Sequence, residues 1–494
     1  MADFRDADVL GTPALRGSRH GRPRPAQATR VAAGEHLRPG VVDDGVDLRE
    51  RALPHRRRAR APRLRGDGDH GAPGPRSGPL AVTGHMTEVA VGGLESAAEP
   101  KPDAGRFPCF DGFRAAAALS VLLLHVAGSS GATQRNRDLG PYLARLDVGV
   151  AVFFLISGFL LYRPFVDAHI AGGRAPATLA FFRRRFLRIY PAYWVATTAV
   201  VYVFHTWPGG TRIKDVKSFV LYYSLAHSYN LGTIFAPLLQ AWTLATEVAF
   251  YLFLPAWGWL LWRATTRAAP ERRVRIELGA LAILFAMSVV YRLVVKTSVS
   301  DETRVGQLLM WLPAWLDLFA MGMGLAVARV WISRRRLAAP LGLDRAYAPA
   351  ACWVLAAIAF WASSTRLGIH RGASGFTTAQ DVGVHLLYGL TAFFFLLPGI
   401  FGPQDQGAIR RLLRNRVVQA LGLVSYGIYL WHENWIGKFL DWRGIAPFSG
   451  DFWPMLGTVL GLTIAAAAVS YAVVERPALR LKGRRGPRRV VGAG

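Results

Sequence analysis

The chain has 494 residues, 52% of them hydrophobic, and a formal net charge of +27. In a soluble protein such basicity would point to nucleic acid. Here the apolar residues gather into runs of about 20, the length of a membrane-spanning helix, so the charge has to be placed before it is interpreted. The only cysteines, Cys109 and Cys352, lie in or beside apolar runs, which excludes a disulfide framework and a cysteine-based zinc site.

Residues 1–106 do not read as part of a fold. Residues 1–85 hold 16 Arg, no Lys and ten acids, with abundant Gly and Pro and neither Trp nor Tyr. Such a segment buries too little surface to offset its ordering entropy. It is either a disordered cytoplasmic arm or translation from upstream of the true start, with Met86 opening the native protein. The Arg-without-Lys bias favours the second reading.

From 107 onward the pattern predicts an all-α membrane domain over 107–480, followed by a basic cytoplasmic tail, 481–494. Ten spans are expected, at about 107–127, 147–166, 186–205, 240–262, 276–297, 305–330, 346–363, 381–401, 418–439 and 452–474. With both termini cytoplasmic, Lys and Arg minus Asp and Glu sums to +22 over the inner segments and +3 over the outer ones. The stretch 216–230 would reverse four basic segments if it crossed, so it is expected in the interface or re-entering from outside. The same count accounts for the basicity without nucleic acid.

That orientation gives each buried polar residue a depth. The first span, FPCFDGFRAAAALSVLLLHVA, carries Asp111 and Arg114 at its inner end and His125 at its outer end. Arg114 and His125 are 11 residues apart, so they share a helix face roughly 16 Å apart. The third span opens with RRRFLRIYP, placing Arg183, Arg184, Arg185 and Arg188 at the inner face. Glu247 falls in the outer half of the fourth span, His432 and Glu433 in the outer half of the ninth. Intramembrane ionisable groups usually line a cavity or pair with partners. Arginines suit phosphates, and a histidine with a carboxylate at its depth suits general-base work. Each has a plainer reading: an orientation signal for the arginines, an interhelical bond for Glu247, an aromatic-belt anchor for His432 beside Trp431. The joint arrangement predicts an acyl donor docked by its phosphates inside, its acyl group reaching outward to His125 beside Glu247.

Five motifs in order carry a resemblance: DGFR with His125, FFLISGF at 153–159, RRRFLRIYP at 183–191, WTLATEVAFYLFLP at 242–255 and SYGIYLWH at 425–432. Together they resemble the acyltransferase 3 family of integral membrane O-acyltransferases, over about 107–480. The resemblance implies that His125 is the catalytic histidine and Arg114 its paired arginine. It implies that Arg185 and Arg188 form a donor-binding R-x-x-R, and that Glu247 is the acid of the W-x-L-x-x-E segment. Asp111, Trp242, Tyr251, Tyr426 and His432 are further candidates within the motifs. Ser157 and Gly158 are expected to be structural, their small size letting helices approach.

The resemblance also implies acyl-CoA, typically acetyl-CoA, as a cytoplasmic co-substrate, with no permanently bound cofactor and no metal. The acceptor would be a hydroxyl of a carbohydrate, a lipid-linked glycan or a macrolide-like molecule, acylated directly or through a transient acyl-protein. The location implied is the bacterial cell membrane. Val248 stands where the family often has a second acid, and no soluble domain follows the last span. The competing expectation is a multi-helix transporter or proton-coupled exporter, since buried His, Glu and Arg also mark ion paths; the two halves of the chain share no repeat that would favour it.

Overall fold

The computed structural model describes residues 107–481 apart from 174–175, 206–212, 214, 235–236, 370 and 372–374. Residues 1–106, including the expected start at Met86, and 482–494 of the basic tail lie outside the described residues. Among the described residues every regular element is helical.

Ten long helices run in order: α1 Phe110–Ser129, α2 Val148–Ala171, α3 Thr178–Ala199, α4 Trp242–Thr265, α5 Pro270–Ser298, α6 Leu316–Arg335, α7 Ala348–Thr365, α8 Thr378–Ile400, α9 Ser425–Arg443 and α10 Phe452–Ser470. Eight segments, all but α3 and α9, are long and apolar enough to cross a bilayer. The two expected spans at 186–205 and 418–439 fall on α3 and α9, which are too charged to qualify on composition. Their charges are Arg183, Arg184, Arg185 and Arg188 on α3, and Glu433, Lys438, Asp441 and Arg443 on α9. The residues that spoil these helices as apolar spans include those the sequence marks as functional.

Residues 216–230 do not form a long helix. Asp215 and Ser218 make a capping box that starts an eight-residue helix, Val216–Tyr223, about 12 Å long and too short to span. Four side chains of α3 strap it down: Tyr190, Tyr193 and Trp194 donate to the carbonyls of Ser224, Tyr222 and Tyr223, and Thr198 bonds the Tyr223 hydroxyl. The expected span at 305–330 breaks at Trp311–Pro313, because proline cannot continue the preceding helix. The one at 418–439 breaks at Val424, between Arg416–Leu423 and α9.

Small residues set the packing that positions the site. A Cβ on Gly158 of α2 would strike the Phe319 carbonyl of α6, and one on Gly322 of α6 would strike the Leu155 carbonyl of α2. The two backbones are therefore in reciprocal contact, as small residues allow between membrane helices. Gly427 brings α9 against α10 in the same way, at Ala467. The first helix packs against α2, α9 and α10, so Arg114 and His125 both face the interior of the bundle.

Candidate active site

Two polar clusters lie along α1, one at each end. The one at its N-terminal end, inner in the expected orientation, is an open cleft lined by Arg114, Ser157, Arg185, Arg188, Glu247, Tyr251, Tyr426 and Tyr429 among apolar neighbours. The contributions follow from helical spacing. Thr243, Glu247 and Tyr251 are four residues apart on one face of α4, and Ser425, Tyr426 and Tyr429 share a face of α9. Arg185 and Arg188 occupy the i, i+3 positions that put both guanidinium groups on the same side of α3.

Within the cleft the charges are unevenly satisfied. Arg114 pairs with Asp111 at 3.0 Å. Glu247 Oε1 accepts from both Ser157 Oγ and Tyr251 Oη, each at 2.7 Å. Arg185 lies over the rings of Phe181 and Tyr251, 6.0 Å from each, and its Nε is buried without a hydrogen-bond partner. Neither Arg185 nor Arg188 forms an ion pair with a described carboxylate. Half-buried guanidinium groups left open in this way fit an anion that arrives with a ligand.

The cluster at the C-terminal end of α1, outer in the expected orientation, is a histidine pair with a carboxylate. His125 Nδ1 stands 2.8 Å from Glu433 Oε1 and 2.8 Å from His432 Nε2. The two rings are stacked, 5.1 Å apart and 3° from parallel. His432 Nδ1 donates to the Ile428 carbonyl at 3.1 Å, which leaves its Nε2 as an acceptor. His125 Nδ1 is therefore the donor, Glu433 its stronger acceptor, and Nε2 of His125 carries the free lone pair. Asp147, which accepts from the Tyr388 hydroxyl, is close enough for its charge to act on His125.

Ligand atoms of His125, His432 and Glu433 fall within 4.8 Å of one another, a donor set chemically able to hold a divalent cation. The contacts found are hydrogen-bonding ones. Ligands on a tetrahedral zinc would stand about 3.3 Å apart rather than 2.8 Å.

Accessibility separates this pair from the two other histidine–carboxylate pairs among the described residues. His169 and Glu277, bonded at 2.5 Å, are both 0% exposed, and His385 with Asp317, at 2.6 Å, are 5% and 1% exposed. His125 and Glu433 are 25% and 20% exposed. Only the outer pair can meet a substrate.

The structure corrects two expectations. The carboxylate of His125 is Glu433, not Glu247. Glu247 faces α2, where Ser157 bonds it, and is bonded also by Tyr251 one turn further along α4, whereas Glu433 sits on the α9 face that packs against α1. Ser157 is not merely a small packing residue, because its hydroxyl bonds that carboxylate. Of the remaining candidates, Arg114, Arg185, Arg188, Tyr251 and Tyr426 meet in the cleft and His432 meets His125. Asp111 reaches the cleft through its ion pair with Arg114. Trp242 packs on Trp315 at 5.3 Å and does not line the cleft.

His125 is not among the cleft-lining residues; Tyr429 connects the two clusters. Its hydroxyl bonds Thr243 Oγ1 at 2.7 Å and the Gln240 carbonyl at 3.1 Å, and its ring lies 5.9 Å from that of His432. Tyr429 could have been found from spacing, since Tyr426 and Tyr429 fall at i and i+3 of one helix.

A family model described as an acyltransferase domain, that of acyltransferase 3, matches residues 107–475. The chain belongs to the acyltransferase 3 family. Nodulation protein 10 of Rhizobium leguminosarum bv. viciae is 27% identical over 68% of this chain and 82% of its own length. Acyltransferase MdmB of Streptomyces mycarofaciens is 26% identical over 78% of this chain and 95% of its own. Peptidoglycan O-acetyltransferase OatA of Listeria monocytogenes is 22% identical over 66% of this chain but only 48% of its own length. No solved structure matches. Membership makes the chain an acyltransferase for groups other than aminoacyl groups, in the multi-pass class of the bacterial cell membrane. The exporter reading is not favoured by a family of acyltransferases.

Proposed function

We propose that the enzyme moves an acyl group, acetyl in the first instance, from cytoplasmic acyl-CoA to a hydroxyl of a cell-envelope carbohydrate, lipid-linked glycan or similar acceptor. His125 is the general base. Arg114, Arg185 and Arg188 hold the donor's phosphates, and the donor's arm extends along α1, past Tyr429, toward His125. The roughly 16 Å between Arg114 and His125 on one helix suits a long flexible carrier. The observation that carries the reading is that α1 joins a cleft in which Arg185 and Arg188 have no ion-pair partner, at one end, to an accessible imidazole–carboxylate pair at the other.

In the transfer, His125 Nε2 takes the proton of the acceptor hydroxyl as its oxygen bonds the thioester carbonyl carbon. The carbon–sulfur bond breaks, and the proton passes on to the departing thiolate. Glu433 fixes the Nδ1–H tautomer and supplies the counter-charge for the imidazolium that forms. Glu247 serves the donor end, where it bonds Ser157 and Tyr251 and offsets the nearby arginines. An outward-facing acceptor agrees with the expected depth of His125 and with OatA, whose name specifies peptidoglycan.

The test is acyl transfer by the purified protein in liposomes containing labelled acetyl-CoA, with envelope glycans offered outside. Wild-type protein labels the glycan and His125→Ala does not. Full labelling by a correctly folded His125→Ala variant would remove the base from the mechanism.

A further inference from the structure

The ERPALR stretch that follows the last apolar run has no part in the mechanism above, yet it is not simply tail. Beyond Ser470, α10 widens into a π-helical turn, Tyr471–Glu475, before the short helix Arg476–Arg480. A π turn shifts the side chains after it relative to an α-helix, and such turns are frequent at functional sites. This one ends on Glu475, which is 7% exposed and whose Oε1 has no hydrogen-bond partner. A buried carboxylate oxygen without a donor loses its hydration and gains nothing in exchange, so native proteins rarely leave one.

Its surroundings indicate what is missing. Arg188 and Tyr426 both line the cleft; Glu475 does not, but the turn it ends packs against α3, the helix that carries Arg188, and it lies within electrostatic reach of both residues. Arg188 nevertheless makes no ion pair with Glu475. The Tyr426 hydroxyl is committed elsewhere, to the Ile189 carbonyl at 2.8 Å. Arg183 donates to the Leu481 carbonyl at 2.9 Å, tying the segment after Glu475 to the same helix that carries Arg188. A carboxylate with an open oxygen is thus held within electrostatic reach of a guanidinium with an open face. A ligand that completes both must carry phosphate oxygens for the arginine and an N–H or O–H for the carboxylate.

We infer that Glu475 is a donor-recognition residue, accepting a hydrogen bond from an N–H or O–H of the acyl donor's nucleotide or pantetheine arm while Arg188 holds a phosphate. This rests on the reading of the cleft as a CoA-thioester site. A carboxylate that served only as a counter-charge would behave in the opposite sense. Neutralising it would strengthen phosphate binding, because a negative charge near the phosphates would be gone. Neutralising a ligand-bonding carboxylate weakens binding of a ligand with N–H and O–H groups and spares one without them.

The experiment measures equilibrium binding of CoA and of inorganic pyrophosphate to full-length wild-type protein, Glu475→Gln and Glu475→Asp in detergent. Glu475→Gln should bind CoA about tenfold more weakly, the scale of a lost charge-assisted hydrogen bond, and bind pyrophosphate as well as or better than wild type. Glu475→Asp, which keeps the charge but withdraws the oxygen, should also lose CoA affinity and keep pyrophosphate. Retained pyrophosphate binding in the same samples shows the cleft is folded; where Glu475→Gln fails that control, the aspartate variant decides. Tighter binding of both ligands by Glu475→Gln, with wild-type behaviour of Glu475→Asp, overturns the inference and makes Glu475 a counter-charge. Failure of wild-type protein to bind either ligand overturns the donor-cleft reading itself, and this inference with it.

Discussion

Arg185 and Arg188 at the inner cleft are half-buried cations that no described carboxylate bonds, whereas His125 at the outer end is met by a carboxylate and a second imidazole at 2.8 Å. The two ends of α1 therefore hold charge in opposite ways. The cleft leaves positive charge uncompensated and its one central carboxylate, Glu247, occupied by Ser157 and Tyr251. That arrangement is completed only by an anion brought from outside. The outer pair is complete without a ligand and lacks only the proton that His125 Nε2 can take. On the proposed function binding belongs to one end and proton transfer to the other, and substitutions should separate along that line.

The largest expected effect is at the proton-accepting end. His125→Ala should lower acyl transfer by about 10²–10⁴-fold, the usual worth of a positioned general base, while CoA affinity stays near wild type. Next, Glu433→Gln should reduce turnover roughly 10–1000-fold with little change in donor KM, because the imidazolium loses its counter-charge and the tautomer its anchor. Glu247→Gln should do the reverse, changing donor KM more than kcat. Steady-state kinetics on the three variants check this. A larger kcat loss in Glu247→Gln than in Glu433→Gln would break the division of roles.

The carboxylates also mark how far the sequence alone could be read. Eight of the ten long helices follow from apolar runs, and the breaks at Pro313 and Val424 are local events inside such runs. The arginine cleft was legible because Arg114, Arg185, Arg188, Glu247 and Tyr251 fall at helical spacing on three segments. The partner of His125 was not. Depth along a membrane normal is one coordinate, and both Glu247 and Glu433 satisfy it; which one faces α1 depends on rotation about each helix axis. That rotation is set by contacts such as Gly427 against Ala467, which no periodicity reveals. Ser157 was misread for the same reason, since its size suits close packing and only the facing helix shows that its hydroxyl has a carboxylate to bond. Glu475 closes a π turn, where α-helical register no longer applies.

Smaller effects are expected at the donor end. Arg185→Ala and Arg188→Ala should each weaken CoA binding by about ten- to a hundredfold, in keeping with one charge-assisted contact to phosphate, and leave turnover at saturating donor close to wild type. Equilibrium binding at two salt concentrations checks it, and the wild-type affinity should fall more steeply with salt than that of either variant. Unchanged CoA affinity in both variants would mean that the unpaired guanidinium groups serve membrane orientation rather than the donor, and the contrast between the two ends of α1 would lose its inner half.

The smallest effect concerns a histidine in neither cluster. His227, in the short turn His227–Tyr229 outside the long helices, is fully buried and neither ring nitrogen has a hydrogen-bond partner. It is what His125 would be without Glu433: an imidazole with no acceptor for its N–H and no counter-charge for a second proton. Burial pushes it down to about 4 from its ordinary 6.5. The unfolded chain therefore binds more protons than the folded one between those values, and stability must fall as pH falls through that window. The full contribution is present above about 6.5, and roughly 2 kcal/mol of it is gone at pH 5. Thermal unfolding in detergent at pH 7.5 and pH 5 should show a steeper loss for wild type than for His227→Leu, whose side chain does not titrate. Equal slopes would mean that His227 takes up its proton at the same pH folded and unfolded, and then burial without a partner would not be what distinguishes it from the histidine at the end of α1.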